Sequence, residues 1–304
     1  MGQSASAKAV LKDFGALIIP DASASGSVAL RDGVTRLYTV TGEYNILYIE
    51  SSETRRLAEG VEYTKLLYRD AGGLPVRAFA VAVESGRGRF YTCLPDDADS
   101  ETAGKAQSVL NQVKAASGHG IEPLAAFNGG FFDMDGNKLS RGLAVHEGKV
   151  CAQNTTRPFF CQFRSGEVMI LPASSYSTYK DSINSANAGS AILLRNGKAA
   201  DIAQGTEMAR TRHPRTGIGI DASTGRVVIM AVDGRQSSWS NGASSLDLVS
   251  LFRDQGCTEL LNLDGGGSTT AVVISQNGSP ALQNSPSGGS QRAVQDTLFV
   301  LPVD

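Results

Sequence analysis

The amino-acid sequence predicts an α+β fold with a mixed, largely antiparallel β-sheet core and a few flanking helices. Three observations lead there: β-rich segments succeed one another along most of the chain, Gly and Asp turns separate them, and only two or three long helical patterns interrupt the series.

Residues 1–17 read as a short helix, with Ala9, Val10, Phe14 and Leu17 at helical spacing before a break at Pro20-Asp21. β-rich stretches at 34–40 and 44–50 then alternate with turn residues. The opening of the chain is therefore expected to form a helix and a β-rich segment. The run 76–83 reads as a strand buried on at least one face. A helix is expected over 100–117, capped by Asp99 or Ser100, with Ala103, Ala106, Leu110, Val113 and Ala116 as its apolar stripe and Gly118 as its stop. Strands are expected at 124–127, 141–145, 159–163, 168–171 and 191–194, with 176–189, rich in Ser, Asn and Ala, as an exposed connection. A hairpin pairs 217–221 with 226–232, and a second helix covers 245–255, started by a capping-box-like Ser244 and Asp247. The apolar run 260–263 enters Asp264-Gly265-Gly266-Gly267-Ser268, and 269–274 leaves it as a strand. A surface loop over 277–290 precedes the last strand, 297–301.

Lys and Arg number 28 against 30 Asp and Glu, so the net charge of -2 offers no global attraction to nucleic acid. An anionic partner has to be held locally. No apolar run approaches the roughly 20 residues of a membrane helix, so no membrane span is expected. Cys93, Cys151, Cys161 and Cys257 lack metal-ligand spacing and read as buried thiols, with a bridge between Cys151 and Cys161 as the alternative.

The triglycine segment carries the clearest chemistry. Successive glycines bring backbone N–H groups close to a ligand, which suits an anion; a plain tight turn between buried strands is the alternative. It is no Walker loop, since no Lys precedes Ser268, and no dinucleotide-binding turn, since a strand follows. Ser268 also lacks the Gly-x-Ser-x-Gly setting of a hydrolase nucleophile. Asn128-Gly129-Gly130-Phe131-Phe132 places two more glycines where a strand ends. Asp133-Met134-Asp135-Gly136-Asn137 reads as a hairpin turn, because its glycine comes too early for a calcium loop. Basic residues gather in Arg210-Thr211-Arg212-His213-Pro214-Arg215, and Arg235 follows Asp233-Gly234. Arginine forks grip phosphate through paired hydrogen bonds, while solvated surface arginines are the alternative.

Taken in order, the Asn128 to Phe132 segment, His213-Pro214-Arg215-Thr216, Asp233-Gly234-Arg235, the Asn262 to Thr269 segment and the tail Arg292-Ala293-Val294 resemble the successive motifs of the phosphodiester glycosidase family. The resemblance covers roughly residues 55–304, which makes 55–304 the expected main domain and 1–54 the opening segment, and departs from the family at Ala293, where a Pro is common. It implies hydrolysis of a sugar-1-phosphodiester with release of free sugar, as the mannose-6-phosphate uncovering enzyme of that family releases N-acetylglucosamine. The substrate expected is a small-molecule or glycan phosphodiester, and the location extracytoplasmic with a leader already removed.

On these residues the expected roles are as follows. Arg215, Arg235 and the amides of Gly265, Gly266 and Gly267, with Ser268, hold the phosphate. Asp264 or Asp233 faces the sugar C1 as nucleophile or as base for water, with Glu84 a third candidate. Asn128, Gly129, Asn262, His213 and Thr269 contact the sugar. No cofactor is expected; a divalent ion bridging Asp264 or Asp133 to phosphate is a minor alternative without ligand-spacing support. A non-catalytic cell-surface glycan-binding module and a phosphodiesterase that cuts P–O are the competing functions.

Overall fold

The computed structural model describes residues 25–29, 35–39, 48–70, 73–153, 156–201, 203 and 207–303; the helix expected over 1–17 lies outside them. The strands in chain order are β1 Ser25–Ala29, β2 Thr35–Thr39, β3 Tyr48–Ala58, β4 Val61–Arg69, β5 Pro75–Val83, β6 Arg89–Cys93, β7 Ala125–Asn128, β8 Leu143–His146, β9 Lys149–Gln153, β10 Phe159–Phe163, β11 Val168–Leu171, β12 Ile183–Ala188, β13 Ala191–Arg195, β14 Lys198–Ala199, β15 Arg215–Ile220, β16 Val227–Val232, β17 Glu259–Asn262, β18 Ala271–Ile274, β19 Pro280–Leu282 and β20 Thr297–Leu301. The helices are α1 Val109–Gly118, α2 Tyr176–Tyr179, α3 Glu207–Arg210 and α4 Ser245–Asp254.

The strands form an eight-stranded sheet ordered β14-β13-β17-β15-β16-β5-β4-β3, two five-stranded sheets ordered β19-β18-β7-β20-β6 and β11-β10-β12-β8-β9, and the pair β1-β2. Every strand pair among the described residues is antiparallel. The α+β architecture stands as expected, without a parallel component.

Period-two patterning explains the layers. In β16, Val227, Ile229 and Ala231 face a core shared with Phe127, Ala271, Val273, Leu298 and Val300 of the sheet containing β7 and β20. The alternate residues Val228, Met230 and Val232 face Leu248, Leu251 and Phe252 of α4. The outer face of the β7/β20 sheet is covered in turn by Val109, Val113 and Ala116 of α1. Burial on both faces is why β5 and β16 read as nearly unbroken apolar runs. Helix α4 starts with a full capping box, Ser244 Oγ accepting from Asp247 N at 3.1 Å and Asp247 Oδ2 from Ser244 N at 2.9 Å. Ser244→Ala should lower stability by about 1 kcal/mol, read as a lower denaturant midpoint at unchanged slope.

Several expectations are corrected. The first long helix starts at Val109, not near residue 100, because Ser108 is its N-cap and Gln107 is held in a bridge to Val294. Gly104, at φ +79°, turns the chain before it. The stretch 176–189 is no exposed connection: α2 opens it, and β12 runs through the middle of a sheet with Ala186 and Asn187 fully buried. Small residues that look loop-like are what a crowded sheet interior admits. The loop after residue 277 contains β19, paired to β18. Cys151 and Cys161 are separate free thiols, and burial pushes the Cys161 thiol up to about 12. Strand β3 runs across the expected boundary between residues 54 and 55.

Candidate active site

Four neighbouring strands of the large sheet, β17, β15, β16 and β5, bring one end of each to the same edge. Their register places Asn262 beside Gly217, Arg215 beside Val232 and Val232 beside Ala78. Asp264, the His213-Pro214-Arg215 segment, Asp233 and Arg77 therefore succeed one another along that edge. Segments distant in sequence become neighbours through antiparallel pairing alone.

The triglycine turn sits at the centre. Gly265 packs against the backbone of the basic segment, where an added Cβ would lie 2.8 Å from Pro214 O. Gly266 adopts φ +60°, and the Arg235 guanidinium lies over it. Gly267 is covered by Arg292, whose Nη2 would be 2.3 Å from an added Cβ. The turn is glycine-rich so that two guanidiniums can close on it. Neither Arg235 nor Arg292 forms an ion pair among the described residues. Arg235 is itself held at φ +61°, a strained conformation for a side-chain-bearing residue. Two cations without an ion-pair partner among the described residues, set against one turn, make a local anion site in a chain of nearly zero net charge.

Asp264 lies beneath this turn and is nine-tenths buried, with Oδ1 accepting from Gly265 N at 2.9 Å. Burial pushes its carboxyl up from 3.8 to about 6, while Ser268, the Gly265 N–H and Arg292 pull the other way. His213 approaches Arg235 at 3.5 Å through Nδ1, and burial, then the charges of Arg215 and Arg235, lower its pKa. It is therefore a neutral imidazole at pH 7.

Several predicted residues occupy other positions. Glu84 is exposed at the far end of β5 from Arg77, seven residues or roughly 20 Å along the strand, and so is removed from this edge. Asp233 is buried with both oxygens engaged, by Trp239 Nε1, Asn284 Nδ2 and Ser285 N, each at 2.8 Å. Burial raises its pKa, and it ties the Arg235 loop to the 284–285 loop. Asn128 is fully buried: it donates to Asp264 O at 2.7 Å and accepts from Thr216 Oγ1 and Thr270 N. Gly129 donates to Asp296 O and accepts from Asp264 N. Both fix the Asp264 backbone.

Arg215 points its guanidinium at the carbonyls of Ala243 and Thr211, at 3.0 and 3.2 Å. Arg212 pairs with Asp70 and Asp247 at 2.6 and 3.1 Å. The basic run thus mainly anchors its own loop. Of the glycine amides, Gly265 N binds Asp264 and Gly266 N binds Pro214 O. Ser268 is fully buried, its hydroxyl 3.3 Å from Arg292 Nη1. Asn262 Oδ1 and Thr269 Oγ1 are buried without a hydrogen-bond partner among the described residues.

Two further residues stand at the site through tertiary contacts alone. Arg292 belongs to a motif quoted above, but its role becomes visible only when the chain's tail folds over Gly267. Asp296 is buried under Gly129 and Gly130, accepting from Gly130 N at 2.7 Å and Asn187 Nδ2 at 2.8 Å. A lone Asp before a strand carries no sequence signal for this.

A family model described as phosphodiester glycosidase matches residues 122–301. The SPbeta prophage-derived uncharacterized protein YomE of Bacillus subtilis (strain 168) is 43% identical over 89 residues, which are 29% of this chain and only 13% of that protein. The fold is similar to the catalytic domain of zebrafish N-acetylglucosamine-1-phosphodiester alpha-N-acetylglucosaminidase auto-inhibited by its pro-peptide, with TM-score 0.64 and 19% identity over 86% of this chain and 90% of that one. It is also similar to a hypothetical protein from Synechocystis, with TM-score 0.61 and 11% identity over 92% of this chain and 74% of that one. With its ordered motifs gathered at one sheet edge and the family model covering more than half its length, the chain belongs to the phosphodiester glycosidase family.

Proposed function

We propose that the protein hydrolyses a sugar-1-phosphodiester at the C1–O bond and releases free sugar. The observation that carries this reading is the closure of Arg235 and Arg292 over the triglycine turn, with the buried Asp264 carboxylate beneath. Cleavage develops positive charge on the sugar ring as a phosphate monoester departs. With a second pKa near ~6 that leaving group needs little protonation, and the two guanidiniums neutralise its growing charge. Asp264 faces C1 as nucleophile or as base for water. Asn262 Oδ1, an acceptor without a partner among the described residues, receives a sugar hydroxyl, and neutral His213 contributes a further polar contact beside the phosphate. Arg215 acts from one layer below by holding the loop of His213.

Arginine carries the charge without a metal, so turnover should survive exhaustive chelation. The reaction runs outside the cytoplasm, on phosphorylated glycans or related conjugates.

The test is incubation with an N-acetylglucosamine-1-phosphodiester in ¹⁸O-labelled water. The expected products are free sugar carrying the label and an unlabelled phosphate monoester. Label in phosphate with sugar-1-phosphate as product would make the protein a P–O-cutting phosphodiesterase, and binding without turnover would make it a glycan-binding module. Arg292→Gln should lower kcat/KM about a hundredfold, the loss typical for one donor to a developing anion, with an unchanged melting temperature as control.

A further inference from the structure

Trp239 is the chain's single tryptophan and, among the described residues, one of few exposed large apolar side chains, at 38%. It is held rigidly. Its indole N–H donates to Asp233 Oδ2 at 2.8 Å, and the Arg77 guanidinium stacks over its ring at 4.1 Å while Arg77 Nε donates to Trp239 O at 3.1 Å. Ser240 fastens the loop behind it, donating to Asp233 O at 2.6 Å and accepting from Arg77 N at 3.0 Å. The same loop, four residues earlier, delivers Arg235 to the triglycine turn.

Position along the sheet edge gives this aromatic side chain a meaning. The order of strand ends is β17 with Asp264, β15 with the His213 segment, β16 with Asp233 and Arg235, then β5 with Arg77 and Trp239. Three strand spacings separate the first from the last, ~14 Å. A diester with C1 at Asp264 and its phosphate under Arg235 directs its leaving alcohol away from Asp264, toward Trp239. An indole fixed at its N–H and backed by a cation presents a flat apolar surface beside water, a surface suited to the apolar face of a ring.

Resting on the diester reading above, we infer that Trp239 is a binding platform for the phosphate-bearing leaving group, and that this group is a ring, such as a second sugar, rather than a short open-chain alcohol. Trp239 touches the leaving group and not the reacting atoms, so it sets specificity through binding.

A single tryptophan makes the test direct. Titration with glucose 6-phosphate, which mimics a ring-bearing product, should change the tryptophan emission saturably, whereas inorganic phosphate at equal concentration should leave it unchanged. Equal responses to the two, or none to glucose 6-phosphate, would overturn the platform. In kinetics, Trp239→Ala should raise KM about tenfold for a diester with a sugar as leaving alcohol and less than twofold for the matching methyl diester, and Trp239→Phe, which keeps an aromatic face, should retain most of the preference. Equal losses on both substrates would again remove the inference. Failure to cleave any diester, with the emission change intact, would sink the proposed reaction and leave the ring platform standing.

Discussion

Replacing Asp264 by Asn is expected to lower kcat/KM about a thousandfold or more while leaving the protein folded. The carboxylate is nine-tenths buried beneath the turn that the two guanidiniums cover, and an amide in its place brings no negative charge opposite a developing oxocarbenium ion. Asn keeps the shape and the acceptor for the Gly265 N–H, which removes charge without removing the contact. The pH dependence supplies the sign. With the carboxyl pushed up to about 6 and the carboxylate as the active form, parental kcat/KM should rise through a midpoint near pH 6. Stability runs the other way. A folded-state pKa above the unfolded value favours the folded protein below about pH 4 and loses that advantage as pH rises to about 6, beyond which the loss is constant. Asp264→Asn escapes that loss, so its melting temperature relative to the parent should climb between pH 4 and 6 and stay level above. A folded variant of parental activity would remove Asp264 from the proposed chemistry.

The legibility of this molecule in its sequence follows from which interactions are local. Strands β10, β11 and β20 fall at 159–163, 168–171 and 297–301 as patterning predicts, since alternation and bounding turns are written within each segment. The capping box of α4 is equally local. β12 was unreadable because Ser185, Ala186, Asn187 and Ala188 are small for a reason lying elsewhere: Asn187 must reach Asp296, and Ser185 must reach Thr92, across the sheet interface. The same holds at the site. Glycine and arginine types pointed to an anion site, but pairing decided which arginines face it. Arg215, in the basic segment, turns to backbone carbonyls, and Arg292, far along the chain from it, takes a place over Gly267. Asp233 looks catalytic by its strand-end position, yet three donors use its oxygens. Sequence names the residue types that a site requires; only tertiary pairing divides them between those that hold the loops and those left open to a ligand.

That division predicts opposite outcomes for one chemical change made at two glycines. Gly129→Ala puts a methyl group 1.9 Å from Asp296 Oδ1 and 2.8 Å from Asn187 Nδ2. None of these can retreat: Gly129 is pinned by its own N–H and C=O, and Asp296 is buried with Gly130 and Asn187 bonded to it. Either the clash stands or a buried carboxylate loses its donors, at about 3 kcal/mol or more, a fall of roughly 5 °C in melting temperature for a chain of this length. Gly267→Ala also creates a clash, 2.3 Å from Arg292 Nη2, but the atom struck is the end of a long flexible side chain. The arginine swings aside, so melting should stay within about 2 °C of the parent while kcat/KM falls roughly tenfold to a hundredfold. Arg292 also holds the Asp264 pKa down, so its displacement should move the acidic limb of the pH profile upward, a change that a fold defect alone does not produce. Equal thermal losses at the two glycines would mean that the triglycine turn is packed for stability like its neighbour and that Arg292 is not a movable part of an anion site.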